Sequence, residues 1–319
     1  MLLCGMTFTS MISRVPFGSL LSAMPARRRR PAAGNEAVPG AGSEPALPRL
    51  AFLHIEKTAG TSTMAYLRGL VGPDDLDPDP RRDLPPHLLS PFTANAIGQI
   101  RARPFVWGHY DLPSIERLGE GRFILALFRE PRQRLLSLYH YWRAVRLETL
   151  TPEQAHSGVR AAHAGTLLDF LRSPDPMVRD FTDHVYLRRL TGRYQTGSAA
   201  DPLAADPRGT LAQAMAALER LSFIGIAENL DGGLPVLARL LHRAPPARIP
   251  RENVLKEMER DRKAPFRRLP REAVTAEVDV ELDRLTRLDR VIYRAACKRF
   301  ERLRHEAGLP VPRPAPADF

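Results

Sequence analysis

An apolar run, Leu50-Ala51-Phe52-Leu53-His54-Ile55, passes directly into Glu56-Lys57-Thr58-Ala59-Gly60-Thr61-Ser62, followed by Met64, Leu67 and Val71 at helical spacing. A strand that feeds a tight loop into a helix aims unpaired backbone N–H groups and the positive helix end at one point, which suits an anion. Gly60 lets the backbone approach a ligand there, and Lys57, Thr58, Thr61 and Ser62 add a cation and hydroxyl donors. Phosphate or sulfate is the chemistry such a set serves. An ordinary strand-to-helix turn with a capping threonine has the same pattern. The loop is not a Walker A sequence, because the G-x-x-x-x-G-K-[ST] spacing is absent and the lysine precedes the glycine.

A second constellation follows the apolar run Phe123-Ile124-Leu125-Ala126-Leu127-Phe128, which ends in Arg129-Glu130-Pro131. In nucleoside triphosphatases a later buried strand commonly ends in an acidic residue that holds Mg²⁺. Here it ends in a cation. Arginine binds a phosphomonoester bidentately, and Ser137, on the helix that follows, is placed to meet the same phosphate. The plain alternative is an Arg129 paired with Glu130 and a serine that meets no ligand.

The elements that must position these groups are legible from periodicity. Continuous apolar runs predict buried strands at 50–55, 104–107, 123–128 and 222–227. Helical spacing predicts helices after Gly60, after Pro131 with Leu135, Leu138, Tyr139 and Trp142 on one face, and at 166–172, 177–190, 210–221, 235–241 and 280–304. Proline at a first helical position suits Pro131, and Gly192 closes the 177–190 helix. Strands alternating with helices predict an α/β fold, a central parallel β-sheet flanked by helices on both faces. The organisation read from composition is a flexible Arg/Pro/Ala-rich tail at 1–49, one α/β domain at 50–305 and a short tail at 306–319.

Composition narrows the function classes. Two cysteines, Cys4 and Cys297, exclude a disulfide scaffold and a cysteine-built zinc cluster. The formal charge of +11, from 47 basic and 36 acidic residues, favours anionic partners without choosing among nucleic acid, lipid, glycan or a phosphorylated cofactor. The first 24 residues are broken by Arg14, Pro16 and Gly18 and fall short of a spanning helix. Arg27 to Arg30 follow that stretch rather than precede it, which is the wrong order for a secretory signal. A cytoplasmic location, at most peripheral to the membrane, is the expectation.

Taken together, residues 54–62 and 128–139 resemble the two cofactor motifs of sulfotransferases that use 3′-phosphoadenosine 5′-phosphosulfate (PAPS). The nearest branch is that of heparan sulfate 2-O-sulfotransferase and its bacterial relatives. Gly108-His109, Phe223 to Glu228 and the helix at 293–302 add to the likeness, which spans roughly 50–305. The resemblance implies a P-loop-like sheet. It also implies that Lys57, Thr58, Ala59, Gly60, Thr61 and Ser62 cradle the 5′-phosphosulfate, while Arg129 and Ser137 hold the 3′-phosphate. Arg188 resembles an arginine that reaches cofactor or acceptor, and Asn253 stands where relatives have a cofactor-covering loop. Two positions depart from the pattern. Glu56 replaces a usual proline, and Trp107 stands where the glycan enzymes carry a histidine.

The implied reaction moves a sulfuryl group from PAPS to a hydroxyl, on a saccharide or glycolipid, without a metal. His109, at the carboxyl end of a strand, is the expected base, with Lys57 stabilising charge on the leaving group. Glu56 is a second candidate: it pairs with Lys57, acts as a base or points away. His54, mid-strand, reads as structural. Two rival readings are a P-loop-type kinase acting on a small molecule and a basic nucleotide- or nucleic-acid-binding protein without catalysis. The absence of a recognition motif and an aromatic content of 7% count against the latter. No motif specifies the acceptor or the oligomeric state.

Overall fold

The computed structural model describes residues 45–71, 100–150, 155–192, 202–249 and 266–309. Four strands form one all-parallel sheet: β1 (Arg49–Leu53), β2 (Phe105–Gly108), β3 (Arg122–Phe128) and β4 (Phe223–Ile226), in the order β2-β1-β3-β4. β1 lies between β2 and β3, with Phe52 opposite both Trp107 and Leu125. Leu50, Ala51, Phe52 and Leu53 are fully buried, as the unbroken apolar run requires of a central strand covered on both faces.

The strand order sets where a crevice can open along the sheet. The chain leaves β1 toward β2 on one side and leaves β3 toward β4 on the other, so connections diverge between β1 and β3. In open parallel sheets that divergence opens a crevice beyond the carboxyl ends of the strands. The loop carrying Lys57 and the turn carrying Arg129 both lie at that end.

α1 (Gly60–Leu67) follows β1, a short α2 (Leu112–Glu116) follows β2, and α3 (Pro131–Ala144) follows β3. α3 begins as the sequence predicts, with Pro131 in its first turn and the Glu130 carboxylate accepting the Gln133 amide at 2.7 Å. α4 (Ser157–Ala164), like α2, has too few apolar positions to announce itself. α5 (Leu167–Leu171) matches the expected 166–172 helix, with Thr166 and Asp169 forming a capping box.

The predicted 177–190 helix is two helices, α6 (Pro176–Thr182) and α7 (Val185–Thr191). Asp183 is extended and His184 adopts φ +50°, which breaks the helical ladder. The break is held from elsewhere in the chain: the His184 amide donates to the Leu285 carbonyl, and the Asp289 carboxylate accepts the amides of Tyr186 and Leu187, both at 3.1 Å. Gly192, at φ +72°, ends α7 as expected.

α8 (Pro202–Ala205), α9 (Pro207–Glu219) and α10 (Leu230–Leu240) flank β4, and α11 (Ala276–Glu306) closes the described chain. α10 starts earlier than predicted and contains Pro235. α11 spans two apolar clusters. Ile292, Ala296 and Phe300 pack in the cluster built on the sheet. Val278, Leu282 and Leu285 pack with Trp142, Phe170 and Phe181 in the other. Among the described residues, no helix is long and apolar enough to cross a membrane.

Candidate functional site

The loop after β1 is built from strained backbone. Lys57 and Ala59 both take φ +65°, a region that costs a non-glycine residue about 1–2 kcal/mol. Thr58 lies between them, fully buried, and its hydroxyl donates to the Ile55 carbonyl at 2.8 Å. Its side chain therefore closes the loop, and its hydroxyl proton does not face a ligand. Ala59 is the N-cap of α1 and has no side-chain acceptor, so the amides of Gly60, Thr61 and Ser62 open the helix without an acceptor from their cap. A loop with alternating positive φ and an uncapped helix start concentrates N–H dipoles at one point.

Gly60 is required by packing. A Cβ there would stand 2.0 Å from two ring atoms of His54. His54 is buried, stacked at 5.3 Å on Phe52 and at 4.5 Å on His109. The structural reading of His54 thus acquires a specific content, a ring wedged between the loop after β1 and the neighbouring strand end. Burial first, then the His109 ring, hold its imidazole well below its ordinary proton affinity.

Arg129 reaches this loop. Its guanidinium donates to the Lys57 carbonyl at 3.3 Å, so the two constellations meet. Its backbone is locked by Tyr186 of α7, whose hydroxyl donates to the Arg129 carbonyl at 2.6 Å. The Lys57 ammonium sits 3.8 Å from the centroid of the Tyr141 ring on α3. Ser137 lies one turn before Tyr141 on the same face of α3, which brings it to the same corner. Burial, and then the Arg129 charge, push Lys57 down from 10.5 to about 7. Among the described residues neither Lys57 nor Arg129 is ion-paired with a carboxylate. Two cations converge, with no countercharge among the described residues.

Glu56, the residue that departs from the usual proline, turns the other way. Its carboxylate pairs with the Arg189 guanidinium, and the same oxygen lies 3.0 Å from Nδ1 of His109. Burial alone would raise its proton affinity, but Arg189 and His109 more than offset this and hold it well below the usual carboxylate range. Of the three roles open to Glu56 in the sequence, pairing with Lys57 is absent. The His109 Nδ1 also faces the His54 carbonyl at 2.7 Å. Both neighbours of Nδ1 are acceptors, so Nδ1 carries the proton and Nε2 the lone pair.

Arg188, expected to reach cofactor or acceptor, is fully buried and turned to the helix break, where it bonds the Asp183 carbonyl at 2.8 Å and carboxylate at 2.7 Å. Its neighbour Arg189, also fully buried, is the arginine that reaches the loop, through Glu56 and the His109 carbonyl. The sequence signal was present: two adjacent arginines inside the apolar stretch 185–190 cannot both point to solvent. Tyr186 and Arg189, one turn apart on α7, buttress Arg129 and His109 respectively. Trp107, two residues before His109, has its ring 6.3 Å from that of His54. Asn253 lies outside the described residues. No protein-family model matches the chain, and no curated protein matches it in sequence.

Proposed function

We propose that the protein is a sulfotransferase that moves the sulfuryl group of PAPS to a hydroxyl, on a saccharide or glycolipid acceptor, on a P-loop-like scaffold. The observation that carries the reading is the convergence of Lys57 and Arg129, with no carboxylate paired to either among the described residues. A site that spends burial on two like charges is suited to an anion with at least two negative charges.

The donor, when bound, supplies a sulfuryl group activated by its link to phosphate. The protein's own residues divide the remaining work. The amides opening α1 and the Lys57 ammonium receive the 5′ end, where Lys57 offsets charge that gathers on the departing phosphate oxygen. Arg129, its backbone fixed by Tyr186, and Ser137 receive the 3′-phosphate. His109 accepts the proton of the acceptor hydroxyl at Nε2, with Nδ1–H anchored on Glu56 and the His54 carbonyl. Glu56, tied to Arg189, is the poorer base of the two candidates.

Thermal unfolding with the desulfated product, 3′-phosphoadenosine 5′-phosphate (PAP), tests the reading. At about 100 times its dissociation constant PAP should add roughly 2.7 kcal/mol of stability. Arg129→Ala and Lys57→Ala should each abolish most of that gain. No stabilisation of the wild-type protein by PAP, or stabilisation by ATP with Mg²⁺ alone, would reject it.

A further inference from the structure

The site contains a fully buried arginine to which neither the motifs nor the proposed reaction gives a task. Arg189 donates to the Glu56 carboxylate and to the His109 backbone carbonyl, and it lies 3.3 Å from the Tyr110 carbonyl. One guanidinium thus grips the loop after β1 and the turn after β2 together. Resting on the reading of His109 as proton acceptor, we propose that Arg189 and Glu56 are positioning residues: Arg189 fixes the Glu56 carboxylate, and Glu56 fixes the orientation and the Nδ1–H tautomer of His109.

The physical case is one of countercharge. A carboxylate as buried as Glu56 takes up a proton unless a cation holds it ionised. Once protonated it would be a donor, competing with the proton that Nδ1 presents to it. Ionised by Arg189, it is an acceptor only, and it compensates the positive charge His109 gains when Nε2 takes the acceptor's proton. Among the described residues both side-chain partners of the Glu56 carboxylate, Arg189 and His109, meet Oε1. Among the described residues the charged groups that act on the His54 ring are His109, Glu56, Arg189 and Lys57, and burial keeps His54 neutral. Two acceptors on Nδ1 and one arginine behind them form an arrangement in which the ring cannot rotate without breaking a bond to buried groups.

The test reads the His109 tautomer directly, from the ring-nitrogen NMR shifts of histidine-labelled full-length protein, with His109→Ala assigning the resonances. In the wild-type protein Nδ1 should carry the proton of the neutral ring, and in Glu56→Gln the neutral ring should populate both tautomers. Turnover with PAPS should fall tenfold or more, while PAP binding stays within about twofold because Lys57 and Arg129 are untouched. Arg189→Lys, which keeps a cation beside Glu56, should retain the tautomer that Arg189→Met loses. Should Glu56→Gln not fold, Glu56→Gln combined with Arg189→Met leaves no lone buried charge, and the same mixture of tautomers is expected. An unchanged His109 tautomer in a folded Glu56 variant overturns the inference whatever the protein's reaction. A tautomer that changes as described, with full sulfuryl transfer by His109→Ala, upholds the positioning and overturns His109 as the base.

Discussion

Lys57 offers the sharpest prediction, because its environment ties anion binding to proton uptake. In the ligand-free protein, burial and the neighbouring Arg129 bring its proton loss down to about pH 7. At pH 8 only about a tenth of the molecules then carry the ammonium charge. An anion placed between Lys57 and Arg129 favours the charged form, so the bound state recovers the proton. Above pH 7 the apparent affinity should weaken about tenfold per pH unit, roughly 1.4 kcal/mol each, until the bound-state proton is also lost. The assay is calorimetric titration of PAP at pH 7, 8 and 9 in two buffers of different ionisation heat. Uptake should approach one proton at pH 8 and above. The nucleotide's own secondary phosphate ionisation, near pH 6, lies outside that window. Lys57→Arg keeps its charge throughout and should remove the pH dependence. In the ligand-free protein the unfolded lysine holds its proton up to about 10.5, so stability should rise with pH from about 7 to that value, and saturating PAP should flatten the slope. Constant affinity and zero proton uptake between pH 7 and 9 would refute the account of the site.

Gly60→Ala, which in most helices gains up to about 1 kcal/mol, should here cost roughly 1–3 kcal/mol in chemical denaturation, because the new Cβ meets the His54 ring at 2.0 Å. In a His54→Ala background that cost should vanish, and equal penalties in both backgrounds would show that the ring is not the obstacle. Trp142→Ala should cost about 3–5 kcal/mol, since the indole is buried edge-on against Phe170 and Phe181. Asp289→Ala should cost roughly 1–3 kcal/mol by orphaning the amides that open α7, with hydrogen exchange at Tyr186 and Leu187 accelerating first. Exchange that speeds uniformly along the chain would place the role of Asp289 elsewhere.

Much of the scaffold was legible before any coordinates. β1 and β3 are unbroken apolar runs because both faces of a central parallel strand are covered, and α3 declares itself through Pro131 and a one-sided apolar stripe. The place of the loop at 56–62 was legible for a related reason: an apolar run that ends in a glycine- and hydroxyl-rich segment before helical spacing marks a strand-to-helix turn. The helix at 177–190 was not divisible by eye, since Asp183 and His184 interrupt it only because Leu285 and Asp289 of α11 bond across the gap.

That break also sets where Arg188 and Arg189 point, the first to Asp183 and the second to Glu56. The phase of α7, and hence which arginine faces the loop, starts from a tertiary contact a hundred residues away. The pairing of Glu56 with His109 depends in turn on the parallel register of β1 with β2, which sets Leu53 opposite Gly108 and brings the two strand ends level. Residue type and local spacing thus determined which elements form and which end of the sheet carries Lys57, His109 and Arg129. Helix phase, strand register and the partner of each buried charge were decided only by the folded chain, because each depends on groups distant in sequence.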